Sequence, residues 1–270
     1  MANKALARNK FDFKSRVLNT NDNLIVKIFR SIIILFGFLL SFFYSFFKLD
    51  NFYFFRRIFF LFYYFAKSFI DRKNCSIINK KIKKNDVFLD IGSAYGFYPY
   101  FLNKLNLNIN INAVEPDQVC LKYLRDLKIF KNKNNKIFEI CAFSSKKKSK
   151  FYISNQNRGE NSIHKDNVHD YSVVVKFDKI DNLFKKKKIN FVKIDTQGSE
   201  IEVLKGMKNI LRSKKLKLII EYCPSDLKLS NTKFNLINFL KKYNFKILRL
   251  DLNQNVNTKN DLKDLDKSLK

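Results

Sequence analysis

Residues 86–102 read DVFLDIGSAYGFYPYFL: an apolar run ending in Asp90, a turn held between Gly92 and Gly96, then a helical start near Phe97 with Pro99 in its first turn. The first turn of a helix leaves its N–H groups unpaired, so a proline there costs no hydrogen bond. Further short β-rich runs follow at 109–114, 136–141, 191–195 and 216–222, separated by helical patterns. Between residues 117 and 127, Val119, Tyr123 and Leu127 fall on one side with Cys120 and Leu124 beside them, as an amphipathic helix requires; Phe234, Ile237 and Leu240 repeat the spacing later. Strands alternating with helices predict an α/β fold, a doubly wound Rossmann-like parallel sheet covered on both faces. Ligands of such sheets lie at the carboxyl ends of the strands, which is where candidate residues are sought.

Three strand ends carry chemistry. The glycines after Asp90 let a ligand approach the backbone, but their spacing is not G-x-G-x-x-G, so a dinucleotide is disfavoured and an adenosyl amino acid suits the turn better. Glu115 ends the second strand about 25 residues after Asp90, where a carboxylate can accept hydrogen bonds from both hydroxyls of a ribose. Helix capping is the bland role for an acid here, and Asp117 fits that better. The third stretch, FVKIDTQGSEIEVLKGM at 191–207, delivers Asp195 to the sheet edge and opens a helix at Glu200.

Taken in order, D-I-G-x-x-x-G-x-Y, V-E-P and K-I-D-x-x-G-x-E-x-x-V-L-K-G resemble the FkbM family of methyltransferases over roughly residues 86–224. The resemblance implies a class I methyltransferase sheet and methyl transfer from S-adenosylmethionine to an oxygen, often a hydroxyl of a sugar or polyketide-type product. It also implies that Asp90, Gly92, Ser93 and Gly96 surround the methionine part, that Glu115 holds the ribose, and that Cys141 and Ala142 lie near the adenine. Asp195 would sit beside the transferring methyl. A hydroxyl is a poor nucleophile at neutral pH, so a base, or a metal that lowers its pKa, would assist. Asp195 and Glu200 are the candidate carboxylates, and His164 is the other candidate base, with an exposed loop histidine as its bland alternative. No metal ligands are assigned, and dependence on a divalent metal stays open. Two positions depart from the family: Ala94 stands where Asn is common, and Gln197 where Glu is common. Glu221 is either an acceptor-pocket residue or a cap on the sheet edge.

The N-terminal third is of another kind. Residues 1–23 are polar and basic, without a signal-peptide cleavage pattern. SIIILFGFLLSFFYSFF (31–47) and IFFLFYYFA (58–66) are uncharged and bounded by Arg30, Lys48, Arg56 and Arg57. The first barely reaches the length a membrane span needs and the second falls short. Residues 24–72 therefore read either as an aromatic hairpin on or in a membrane, or as buried helices packed on the catalytic domain. The expected organisation is a basic segment (1–23), the aromatic appendage (24–72), the catalytic domain (73–252) and a polar tail (253–270). Residues 154–171, SNQNRGENSIHKDNVHDY, form a polar loop long enough to be functional.

The formal net charge of +29 would by itself suggest nucleic acid or an anionic surface. Lys, Asn, Ile and Phe are abundant together while Gly, Pro and Trp are scarce, so the charge reads as compositional bias spread over a solvated surface. No reader fold accompanies it, and nucleic acid is disfavoured as a partner. Cys75, Cys120, Cys141 and Cys223 form no C-x-x-C pair, which fits reduced thiols in the cytoplasm. The resulting expectation is an O-methyltransferase on the cytoplasmic face of a membrane, acting on a small-molecule, glycan or lipid-linked glycan acceptor. No oligomeric state is assigned. The competing readings are a catalytically silent binding module of the same fold and a nucleic-acid methyltransferase, whose Asn/Asp-Pro-Pro-aromatic signature is lacking.

Overall fold

A computed structural model describes residues 24–155, 157–185, 188–222, 235–250 and 254–255. At its centre is a five-stranded, wholly parallel sheet in the order β3-β2-β1-β7-β8, made of β1 (Val87–Ile91), β2 (Asn110–Val114), β3 (Lys136–Phe138), β7 (Phe191–Ile194) and β8 (Lys217–Ile220). The order reverses at β1, so the tips of β1, β2 and β7 are adjacent at the switch point, where open sheets bind ligands.

Alternation along β1 and β7 sends successive side chains to opposite faces. Phe88 and Phe191 pack on one face against α4 (Phe97–Lys104) and α5 (Gln118–Asp126); Leu89, Ile91, Val192 and Ile194 pack on the other against α7 (Glu200–Lys205) and α9 (Asn235–Lys241). Each fully buried Phe or Leu contributes about 1.5–3 kcal/mol relative to exposure. Both faces are covered, as the doubly wound pattern requires. Asp117 caps α5 by accepting the Val119 N–H at 3.0 Å. Ile237 and Leu240 are buried in α9, while Phe234 lies outside the described residues, as do residues 1–23, Cys223 and Pro224.

The single run expected at 136–141 divides in two. β3 stops at Phe138, and β4 (Cys141–Ala142) leaves the main sheet to pair with β6 (Tyr171–Asp178), which also pairs antiparallel with β5 (Lys147–Ile153). This small second sheet carries the polar loop back to the switch point.

The appendage is a helical hairpin, α1 (Leu24–Phe46) and α2 (Tyr53–Ile70), continued by α3 (Arg72–Lys81). α2 buries Phe59 and Phe60 on the catalytic domain, Phe59 against Tyr95 and Tyr123 with ring centroids at 5.0 and 5.6 Å. Arg56 forms a two-pronged bond to Asp126 of α5 at 2.6 and 3.2 Å, fixing the hairpin's turn. The opposite side of α2 exposes Phe54, Ile58, Leu61 and Phe65, spaced as one helical stripe. The buried-helix reading thus holds for the inner face of α2, whose outer face is an exposed apolar surface. α1 alone among the described helices is long and apolar enough to cross a membrane, and little of it is buried.

Candidate active site

The tips of β1, β2 and β7 open into one cavity of about 800 Å³, lined among others by Gly92, Ser93, Ala94, Glu115, Lys193 and Asp195. The turn after β1 fits only because Gly92 has no side chain. It sits at φ 76°, and a Cβ there would lie 1.8 Å from the Asp195 carbonyl oxygen, so the β1 and β7 tips touch backbone to backbone. Gly96, at φ 86°, faces Leu124 and Leu127 and does not line the cavity.

Glu115 forms the cavity wall between two backbone donors, the Ala94 N–H at 2.8 Å on Oε2 and the Asp117 N–H at 2.9 Å on Oε1. Each carboxylate oxygen can accept two bonds, so each keeps capacity for a hydroxyl. Burial, with the Asp117 charge adding to it, pushes Glu115 up to about 8.

Asp90 and Asp195 meet through a residue that the sequence reading passed over. Register pairs Asp90 with Lys193 across β1 and β7, and both side chains turn to the same face. Lys193 Nζ lies 3.7 Å from Asp90 Oδ1 and 3.0 Å from Asp195 Oδ2. Burial works against its charge, yet Asp195 and Asp90 outweigh that and hold it firmly protonated. Burial would likewise raise Asp195, but Lys193 dominates and keeps that carboxylate well below the usual range. Asp90 lies beneath the turn rather than in the cavity wall; burial exceeds the pull of Lys193 and raises it to about 6. Neither of its oxygens accepts a hydrogen bond among the described residues. A lysine in an apolar strand was the available signal, because its alternation with Asp195 places both on one face.

Gln197 ties Asp195 to the next strand end. Its Nε2 donates to Asp195 Oδ1 at 2.9 Å and to Glu221 Oε2 at 3.2 Å, and both acids line the cavity. Glu221 thus belongs to the pocket wall. Glu200 does not: its carboxylate accepts the Thr196 N–H at 3.0 Å and the Gly198 N–H at 3.1 Å from beneath the loop, and burial raises it to about 7. The structure gives Glu200 the work of shaping the loop that presents Asp195 and Gln197. His164 also stays out of the cavity wall, in a segment whose backbone N–H is held by Ser162. Cys141 and Ala142 do line the cavity, beside Ile140 and Phe151, and burial raises the Cys141 thiol.

The polar loop closes one side. Arg158 pairs with Asp117 at 2.9 Å, both side chains almost wholly buried, and Ser162 donates to the Gln197 carbonyl at 2.8 Å. Residues 157–161 complete the cavity wall, so the loop is a roof over the switch point.

The family model for the methyltransferase FkbM domain matches residues 86–247, more than half of the chain and the whole of this cavity's β-strand framework. The chain belongs to the FkbM methyltransferase family. Among curated proteins, none matches it. The match begins at Asp86, so the α1–α2 hairpin that completes the cavity lies outside the matched residues. Its three motifs converge at the switch point, with Asp90 as buried support for Lys193 and with Glu115 and Asp195 in the wall. No cluster of three or more His, Cys, Asp or Glu able to hold a metal occurs among the described residues.

Proposed function

We propose that this FkbM methyltransferase is an S-adenosylmethionine-dependent O-methyltransferase working at the cytoplasmic face of a membrane on a hydroxyl of a glycan, lipid-linked glycan or related molecule. The observation carrying the proposal is the convergence of Glu115 from the tip of β2, Lys193 and Asp195 from β7, and the Gly92 turn after β1 on one cavity with an apolar flank. The residues present fit the cofactor. Glu115 has spare acceptor capacity for two ribose hydroxyls, Ile140, Cys141, Ala142 and Phe151 offer a dry slot for a flat ring, and Lys193 can meet a carboxylate. When bound, S-adenosylmethionine supplies a methyl group already activated on a sulfonium.

The chain's own task is then chiefly alignment, which can supply much of a rate enhancement when the electrophile is already reactive. Asp195, pinned ionised by Lys193, is a weak proton acceptor but a fixed hydrogen-bond acceptor for the acceptor hydroxyl. Gln197 and Glu221 border the same position. The arrangement therefore orients an oxygen lone pair, and the hydroxyl proton, strongly acidic once the methyl is on the oxygen and the thioether has left, passes to Asp195 and on to water. α1 and the exposed side of α2 support attachment to a bilayer, with Lys27, Lys48 and Arg57, none of them buried, available to headgroups.

The test is transfer of a labelled methyl group from S-adenosylmethionine to the glycolipid fraction of membranes by purified enzyme. Asp195→Asn is expected to lose about 10²-fold or more in rate while still binding the cofactor. Equal labelling by wild type and Asp195→Asn would refute the assignment. Label recovered in RNA or DNA instead would favour a nucleic-acid enzyme.

A further inference from the structure

The cavity is not uniform. One end is the polar switch point; the other is walled by Ile33, Ile34 and Gly37 of α1 and Phe59 and Phe62 of α2, with Ser41 alongside. Lys67 stands at the boundary, committed to Asp71 at 3.1 Å. Edge-to-face contact between Phe36 and Phe62, at 4.9 Å, joins the two helices over this end. The two ends are continuous, so whatever is held beside Asp195 can extend between the helices. Apolar cavities bind apolar groups and are poorly filled by water. A free sugar beside Asp195 would leave this half of the site without a partner.

We infer that the acceptor is an amphiphile, with its hydroxyl-bearing head at Asp195 and Gln197 and its hydrocarbon chain between α1 and α2. The hairpin is thus a wall of the acceptor site, and the outer stripe of Phe54, Ile58, Leu61 and Phe65 sets that wall against the bilayer from which the chain enters. This rests on the methyltransferase reading and adds the substrate class to it. Of the six basic residues between 24 and 70, Lys27, Lys48 and Arg57 are neither buried nor paired with the catalytic domain, and they suit a hairpin set against an anionic leaflet.

The probes are hexyl, octyl and decyl β-glucosides below their micellar concentrations, titrated into the full chain held in amphipol. Affinity is expected to rise about fourfold per added methylene. Ile34→Trp and, independently, Ser41→Leu are expected to abolish that chain-length dependence while leaving cofactor affinity unchanged. Phe46→Ser, altering a side chain that is exposed and outside the cavity, is expected to retain it. Binding that ignores chain length, or chain-length dependence that survives both filling variants, would overturn the inference. Chain-length dependence lost equally in Phe46→Ser would place the chains on the outer surface and overturn it too. Absence of S-adenosylmethionine binding to the wild type would sink the methyltransferase reading alone, because the glucoside series reads the apolar end directly.

Discussion

Ala94 adopts φ 45° and Gln197 φ 50°, the left-handed region that disfavours a Cβ but which Asn tolerates. An Asn at position 94 would thus relieve backbone strain, whatever polar contact it made. Ala94→Asn is expected to raise stability by roughly 0.5–1 kcal/mol, seen as a melting temperature about 2 °C higher; a lower melting temperature contradicts the strain argument. At Gln197 the amide hydrogens bridge two carboxylates. A carboxylate has no donor to offer, so Gln197→Glu gathers three acids at one point and invites a cation. That variant is expected to melt below wild type in chelator and to recover with Mg²⁺ or Mn²⁺, whereas wild type ignores both; identical melting of the variant with and without cation would count against it. Glu115 gives a pH signature. Its folded-state pKa is raised to about 8, so its contribution to the stability of the empty protein is full below the ordinary glutamate range and is lost as pH rises through about 8. Ribose hydroxyls donate to the ionised form, so cofactor affinity runs the other way and is expected to strengthen about tenfold or more from about pH 6 to pH 8. Affinity flat across that range would disprove the contact.

At the scale of elements, the strand–turn–helix units were legible because their patterns differ: short continuous apolar runs in β1 and β7, as strands buried on both faces show, and a helical stripe in α5. The sequence also placed Asp117 at the cap of α5, since a short acid directly before an amphipathic run has few other uses. Lys193 gave a local signal in its spacing from Asp195, but its meeting with Asp90 depends on register between β1 and β7, which no local pattern displays. Glu200 and His164 looked chemical by type and motif, yet their surroundings turn one under a loop and leave the other outside the cavity wall. The hairpin resisted reading for a different reason, since helices apolar on nearly every side carry no stripe from which a buried face can be chosen. Packing chose it: Phe59 sits among Tyr44, Tyr95 and Tyr123 at centroid distances of 5.0, 5.0 and 5.6 Å. Phe59→Ala is expected to cost about 3–5 kcal/mol, and Phe65→Ala, on the exposed stripe, within about 0.5 kcal/mol, both by chemical denaturation. Equal losses would mean that the hairpin does not dock through this face.

For the molecule as a whole, a parallel sheet brings the ends of its central strands together, and the hairpin, the second sheet and the polar loop enclose the space above them. The most direct measurement of that arrangement is calorimetric titration of S-adenosylmethionine into the full chain and its Glu115→Ala variant. Saturable one-to-one binding by the wild type, weakened at least about tenfold in the variant, is the expected result. No binding to the wild type, or equal affinity in both proteins, would contradict a cofactor site built on the tips of β1, β2 and β7.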